Sequence, residues 1–239
     1  MNDDLNSCVE LMTDSIQGTN LKDYIKDLME IQQLYTAAIK EIRTKFEILD
    51  DEFKVKFDYN PIHHIESRLK SLKSILEKLQ RKGFPVTVDS IRENLFDVAG
   101  IRIICNYVDD VYRVANMLIK QDDITLIKTK DYIANPKENG YRSLHLIVSV
   151  PIFLAEKVEP VVAEIQIRTI AMNLWASLEH EMKYKSDVEV NEDLKKRLKD
   201  NAESVAKIDE EMQEIFRELK QSNKVLCTSY RNIKDCINK

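Results

Sequence analysis

Leu21, Ile25, Leu28, Leu34, Ala38 and Ile42 recur at helical spacing, which predicts a long helix from about Asn20 to Leu49 behind a polar extension of residues 1–20. A charged run from Asp50 to Asp58 reads as the link to a second helix, which follows Pro61 and stops near Gly83-Phe-Pro85, where a glycine C-cap and a proline close it. Beyond this the pattern changes type repeatedly. Strands are predicted over Gly100 to Tyr107, Ile124 to Lys130, Ser143 to Val150 and Val161 to Arg168, with helices over Asp109 to Ile119 and Thr169 to Tyr184. A last long helix spans Glu192 to Ser222, where Leu194, Leu198, Val205, Ile208, Met212, Ile215 and Leu219 step mostly by three and four, and residues 223–239 form a tail. The fold class is therefore α/β or α+β: one sheet domain over residues 21–222, flanked by long helical arms.

Two of the strands carry unusual faces. Alternation sets Ser143 and His145 against Leu144, Leu146, Val148 and Val150, and separates Glu164, Gln166 and Arg168 from Ile165 and Ile167. A carboxylate, an amide, an imidazole and a guanidinium make poor core material, since each is costly to bury without a partner. That face is expected to meet a polar ligand. The polar stretch Lys128 to Asn139 is the loop suited to a substrate flap.

Composition narrows the choices. A chain that is 44% hydrophobic and 32% charged is ordinary for a globular protein, and a net charge of −5 argues against a nucleic-acid coat, so any anion site must be local. Nothing in that balance indicates RNA binding. Neither a secretory signal nor a membrane-spanning run is read, and cytoplasm is the expected compartment. Cys8, Cys105, Cys227 and Cys236 form no C-x-x-C pair, which fits free thiols better than a disulfide frame or a zinc site. With glycine only at positions 18, 83, 100 and 140, neither the P-loop nor the dinucleotide-binding fingerprint can be written. A phosphate cradle here must use lysine and arginine.

Placed on a helix, Lys70, Ser74, Lys78 and Arg81 fall in a stripe roughly 80° wide, opposite Leu69, Leu72, Ile75, Leu76 and Leu79. A solvated surface and a polyphosphate comb fit that stripe about equally, and Arg68 projects outside it. Asp97 and Glu164 are candidate ligands for Mg²⁺, which takes oxygen donors and shares them with substrate phosphates. Such pairs are commonly surface or capping residues. Tyr141 follows a glycine in a loop, where a ring can stack on a base or pack into a core. His145 alone reads as a satisfied strand histidine, His63 and His64 point in different directions, and Trp175 and Tyr184 read as core or interface.

Taken together, Asp97-Val-Ala-Gly-Ile-Arg102, Lys130-Asp-Tyr-Ile133, Lys137-x-Asn-Gly-Tyr-Arg-Ser-Leu-His145, Glu164-Ile-Gln-Ile-Arg-Thr169 and Trp175-x-x-x-Glu-His180 resemble the small alarmone synthetases, the compact GTP pyrophosphokinases of the bacterial stringent response. The resemblance runs from about Tyr35 to Ser222. It implies a mixed sheet of the nucleotidyltransferase type and transfer of the β,γ-pyrophosphate of ATP to the 3′-hydroxyl of GDP, GTP or GMP. It further implies that Arg68, Lys70, Ser74, Lys78, Arg81 and Arg102 hold ATP, with Arg68 and Arg102 stacking on adenine. Lys130 and Lys137 meet the guanine nucleotide's phosphates, Tyr141 stacks on guanine, and Asn139, His145 and Gln166 surround that nucleotide. Asp97 and Glu164 hold Mg²⁺, and Glu164 takes the hydroxyl proton. The chain lacks the His-Asp dipeptide of the hydrolase domain found in longer relatives, so synthesis without hydrolysis is expected.

The resemblance also implies a homotetramer. In some of these enzymes its central cleft binds the alarmone through lysines, a phenylalanine and a threonine. The matching positions here are Arg43, Glu47, His64 and Glu66, with Asn173 retained, and two carboxylates repel such a ligand. Two other readings share the pattern: a transferase that moves a nucleoside monophosphate, and a non-enzymatic RNA-binding or scaffolding module.

Overall fold

Five strands form one mixed sheet in the order β1-β2-β5-β4-β3, in a computed structural model that describes residues 21–185 and 191–237, with side chains from 26 to 182 and from 191 to 221. The elements are α1 (Leu21–Lys56), β1 (Ile62–Leu69), α2 (Leu72–Arg81), α3 (Val88–Asn94), β2 (Ala99–Cys105), α4 (Val108–Ile119), β3 (Thr125–Asp131), β4 (Leu144–Phe153), β5 (Val158–Thr169), α5 (Ile170–Lys185) and α6 (Glu192–Ile237). β2 and β5 pair in parallel and every other pair is antiparallel. The 1–20 extension and the side chains of Tyr184, Cys227 and Cys236 lie outside the described residues; Cys105 is a buried free thiol.

Alternation assigns the two faces of the sheet. Ile101, Ile103, Leu146, Val148, Ile165 and Ile167 share a core with Ile42 and Phe46 of α1 and with Val111, Val114 and Leu118 of α4. The opposite face turns toward α5, which packs on β2 and β5 and is itself held by α6. A second, smaller cluster joins Trp175, Ala176 and Ala202 there, with Tyr141 and Val205 against it. Among the described residues no helix is long and apolar enough to cross a membrane.

Several elements differ from the pattern read in the sequence. The segment after Pro61 is a strand, and only Leu72–Arg81 is helical. A bulge between Ile62 and His64 shifts the register, so Ile62, Ile65 and Leu69 fall at helix-like intervals although they lie on a strand. The run from Asp50 continues α1, because Lys54 pairs with Asp50, Lys56 pairs with Glu52, and Phe53 is buried. Lys128 to Asp131 belong to β3, so the polar loop begins only after them. α3 was not anticipated, and α6 continues to Ile237.

α6 also presents a different face from the one its apolar steps suggest. Ala202, Asp209 and Gln213 are buried, whereas Ile208, Met212, Ile215 and Leu219 are exposed. Beside the Ala202 cluster and the stacking of Phe216 on Tyr107, polar contacts dock it: Thr169 Oγ1 donates to Asp209 at 2.6 Å, Gln213 accepts from the Asp109 backbone at 2.9 Å, and Trp175 Nε1 donates to the Leu198 carbonyl at 3.1 Å.

Phe46 has no exposed surface and lies where α1 crosses the sheet. Phe46→Ala is expected to cost about 3–5 kcal/mol, read as a lowered urea midpoint with an unchanged slope; a midpoint equal to wild type would place Phe46 outside the core.

Candidate functional site

Register alone builds the polar face. Glu66, Arg102, Gln166, His145 and Lys130 stand opposite one another in a single row across all five strands, and Arg68, Gly100 and Glu164 form the neighbouring row. These rows border a cavity of about 540 Å³ whose wall includes Arg68, Lys70, Asp97, Arg102, Tyr141 and Glu164. Gln166 and Arg168 of β5 and Ala176, Ser177 and Glu179 of α5 complete it.

At one end the segment between β1 and α2 meets the segment before β2. Ser71 caps α2 by accepting from the Ser74 backbone, so Lys70 stands in the connection and is not on the helix. The Lys70 backbone nitrogen donates to the Val98 carbonyl at 2.9 Å, which extends the β1–β2 pairing. Both Lys70 Nζ (2.8 Å) and Lys78 Nζ (2.7 Å) reach Asp97 Oδ2. Asp97 Oδ1 is buried with no hydrogen-bond partner among the described residues. Burial alone raises the Asp97 pKa, but the hydrogen bonds and charges of the two lysines outweigh it and hold the group below its ordinary value. Nearby, Arg102 Nη1 pairs with Glu66 at 3.0 Å.

At the other end, Gly140 turns the loop at φ +87°, and a Cβ there would lie 2.5 Å from the Ala202 side chain of α6. The loop sets Tyr141 beside His145, with Lys137 Nζ 4.6 Å from the Tyr141 ring centroid. Asn139 Nδ2 donates to Glu179 at 3.2 Å. Between the two ends, Glu164 Oε1 meets His145 Nδ1 at 3.1 Å and Oε2 accepts from Gln166 at 3.1 Å. Burial raises the Glu164 pKa, and Asp97 opposes ionisation too, yet His145 and Gln166 bring it below the ordinary value.

Such a wall, with cations at one end, an aromatic loop at the other and a carboxylate between them, suits two nucleotides laid end to end. Residues 67–189 match the model of the region found in RelA / SpoT proteins. The chain is 45% identical over 200 residues to GTP pyrophosphokinase YwaC of Bacillus subtilis, covering 84% of this chain and 95% of that one. The chain belongs to the RelA/SpoT family. Two solved structures of small alarmone synthetase 1 from Bacillus subtilis superpose on it. One, bound to its product pppGpp, gives a TM-score of 0.72 at 40% identity, covering 77% of this chain and 93% of that one. The other, bound to AMPCPP, gives 0.70 at 36% identity, covering 82% and 99%.

Against that family background, the residues singled out in the sequence divide into three groups. Arg68, Lys70, Asp97, Arg102, Tyr141, Glu164 and Gln166 line the cavity. Lys78, Asn139, His145 and Lys137 join it through Asp97, Glu179, Glu164 and the Tyr141 ring. Ser74, Arg81 and Lys130 are not in its wall: Ser74 is engaged at the α2 cap, Arg81 is exposed in the last turn of α2, and Lys130 stands across from His145 on β3. Arg68, which projected outside the helical stripe, enters because β1 is a strand. Among the wall residues without a catalytic or substrate-binding assignment from the sequence are Glu66, Arg168 and Glu179; alternation with Glu164 and Gln166 was the signal for Arg168.

The Asp97 linkage has a defined sign. Its folded pKa is depressed, so its stabilising contribution is present above the unfolded Asp value and is lost as pH falls through the folded one. In nucleotide-free protein without divalent metal, the melting-temperature gap between wild type and Asp97→Asn is expected to be widest near neutrality and to close in acid. A gap independent of pH would break the assignment.

Proposed function

We propose that the cavity aligns ATP, a guanine nucleotide and Mg²⁺ for pyrophosphoryl transfer. The enzyme is a GTP pyrophosphokinase: it moves the β,γ-pyrophosphate of ATP to the 3′-hydroxyl of GDP or GTP, releasing AMP. The observation that carries the residue assignment is the lateral order along the sheet. Arg68, Lys70 and Arg102 stand on the β1–β2 side, Tyr141 on the β4 side, and Glu164 on the strand between them. Phosphoryl-group transfer depends on alignment and charge neutralisation more than on covalent help, and this order supplies both.

Arg68 and Arg102 flank adenine, Lys70 and Lys78 meet its phosphates, and Ser74 and Arg81 extend that row from α2. Lys130 and Lys137 meet the phosphates of the acceptor, Tyr141 stacks on guanine, and Asn139, His145 and Gln166 surround it. Asp97 and Glu164 line the same cavity, and their two carboxylates, one with an oxygen that has no hydrogen-bond partner among the described residues, fit a divalent cation whose remaining ligands would be phosphate oxygens. Magnesium bound there supplies charge neutralisation at the transferred group. Glu164 takes the 3′-hydroxyl proton, and its depressed pKa keeps it ionised for that task.

A homotetramer is supported by two exposed apolar stripes, Ile170, Leu174 and Leu178 on α5 and Ile208, Met212, Ile215 and Leu219 on α6. Cytoplasm, where both nucleotide pools lie, is the proposed compartment.

Purified protein incubated with ATP, Mg²⁺ and each guanine nucleotide in turn, with products separated by ion exchange, tests the reading. AMP and a 3′-pyrophosphorylated guanosine nucleotide support it, whereas released pyrophosphate indicates nucleotidyl transfer. Glu164→Gln should abolish detectable turnover while nucleotide binding persists, a loss of at least about 10²; full activity would remove Glu164 from the mechanism. Tyr141→Ala should weaken the guanine nucleotide more than ATP in binding titrations, and equal losses would contradict stacking.

A further inference from the structure

We infer that Arg168 is a positioning residue whose single guanidinium orients both oxygens of Glu164 through two branches, one running by way of Tyr141 and His145 and the other by way of Gln166. This rests on Glu164 being the proton acceptor, as proposed above.

Arg168 is only 5% exposed, on the polar face of β5. Its Nη2 donates to Tyr141 Oη at 2.6 Å and to Gln166 Oε1 at 2.8 Å, with longer contacts to Ser143 Oγ (3.4 Å) and Asn173 Oδ1 (3.5 Å). All four are neutral oxygens. A cation whose hydrogen-bond partners are all neutral is a poor stabilising device, and here burial outweighs the attraction of Glu66 and lowers the Arg168 pKa. Its value lies in direction.

Arginine has donors and no acceptor, so at the Tyr141 oxygen it must donate. The phenol is then free to give its own proton to His145 Nε2, which lies 2.8 Å away. That leaves the ring's hydrogen on Nδ1, aimed at Glu164 Oε1 at 3.1 Å. The second branch works the same way. By donating to Gln166 Oε1, Arg168 fixes which end of the amide is the oxygen, and the nitrogen is turned to Glu164 Oε2 at 3.1 Å. Both carboxylate oxygens are thus held from one buried group that does not touch them. Tyr141 acquires a second role through its hydroxyl, separate from the ring face offered to a base.

The test uses Arg168→Met, which keeps the bulk and removes the donors, together with Tyr141→Phe, which keeps the ring and removes one oxygen. Nitrogen NMR of the nucleotide-free protein reads the His145 tautomer, with the signal assigned by a His145→Gln variant. Wild type is expected to carry its hydrogen on Nδ1, and both variants should show a population with hydrogen on Nε2. In steady-state assays Arg168→Met should lose about 10² in kcat with the KM for ATP within about twofold of wild type. Arg168→Lys, which retains a donor, should recover part of that loss. If Arg168→Met does not fold, Tyr141→Phe reports on the first branch alone. An unchanged Nδ1–H signature in every variant that folds overturns the inference, as does wild-type kcat in Arg168→Met. Because the NMR readout needs no turnover, absence of synthetase activity in all forms would sink the functional reading while the tautomer shift still upheld the network.

Discussion

Parallel pairing of β2 with β5 is the constraint on which the site depends. It sets Gly100 beside Glu164 and Arg102 beside Gln166, and so joins a strand that begins just after Asp97 to one that lies far along the chain. Parallel neighbours require a crossover, and here the path from β2 to β5 runs through α4, β3 and β4. That detour is productive. It adds β4 on the far side of β5, bringing His145 opposite Gln166 and the Tyr141 loop to the edge of the cavity. Gly100 leaves the floor beside Glu164 without a side chain. Any slip of the pair by one residue would send Glu164 and Gln166 into the hydrophobic core, so the burial of Ile165 and Ile167 fixes the site as firmly as it fixes the fold.

Polar groups on such a face are costly to leave unpaired, and here most of them pair with one another, with Asp97 Oδ1 and Arg102 Nε left without a partner among the described residues. Lys70 and Lys78 share Asp97, Arg102 holds Glu66, and His145 meets Glu164. Asp97 lets the Lys70 and Lys78 ammonium groups sit close together despite their repulsion. The cavity wall carries Arg68, Lys70, Arg102 and Arg168 beside Glu66, Asp97, Glu164 and Glu179, so its local balance is set by how these groups pair and not by the net charge of −5. Glu66 belongs to the cavity as the partner of Arg102, while Arg43 pairs with Glu47 on α1 and donates to Ser67.

The legible parts of the fold were those where one physical rule acted alone. β4 and β5 alternate cleanly because one face is core and the other is a site, so the period of two survives and carries Glu164, Gln166 and His145 with it. β1 departs from the helix its spacing predicts because it is an edge strand with a bulge: Ile62, Ile65 and Leu69 run on into Leu72, Ile75, Leu76 and Leu79 at intervals a helix also produces. The consequence was local. Lys70 and Lys78 meet at Asp97 even though only Lys78 is helical. Arg168 was visible on the polar face but without a role, because its partners Tyr141 and Gln166 come together only once β4 and β5 pair.

α6 exposes a limit of reasoning from apolar steps. Its most regular apolar stripe faces outward, and the docked side mixes Ala202 and Phe216 with polar groups: Asp209 takes the Thr169 hydroxyl and Gln213 meets the start of α4. Packing still dictates one strict requirement, because Ala202 presses on Gly140 so closely that neither position accepts a larger side chain without movement. Gly140 lies next to Tyr141, and Trp175 of α5 hydrogen-bonds the α6 backbone four residues before Ala202. The loop that carries Tyr141 is therefore braced by a helix outside the sheet, whereas the cation end depends on β1, α2 and the segment before β2. The two ends of the cavity, built from different parts of the chain, can vary separately so long as Glu164 on β5 stays between them.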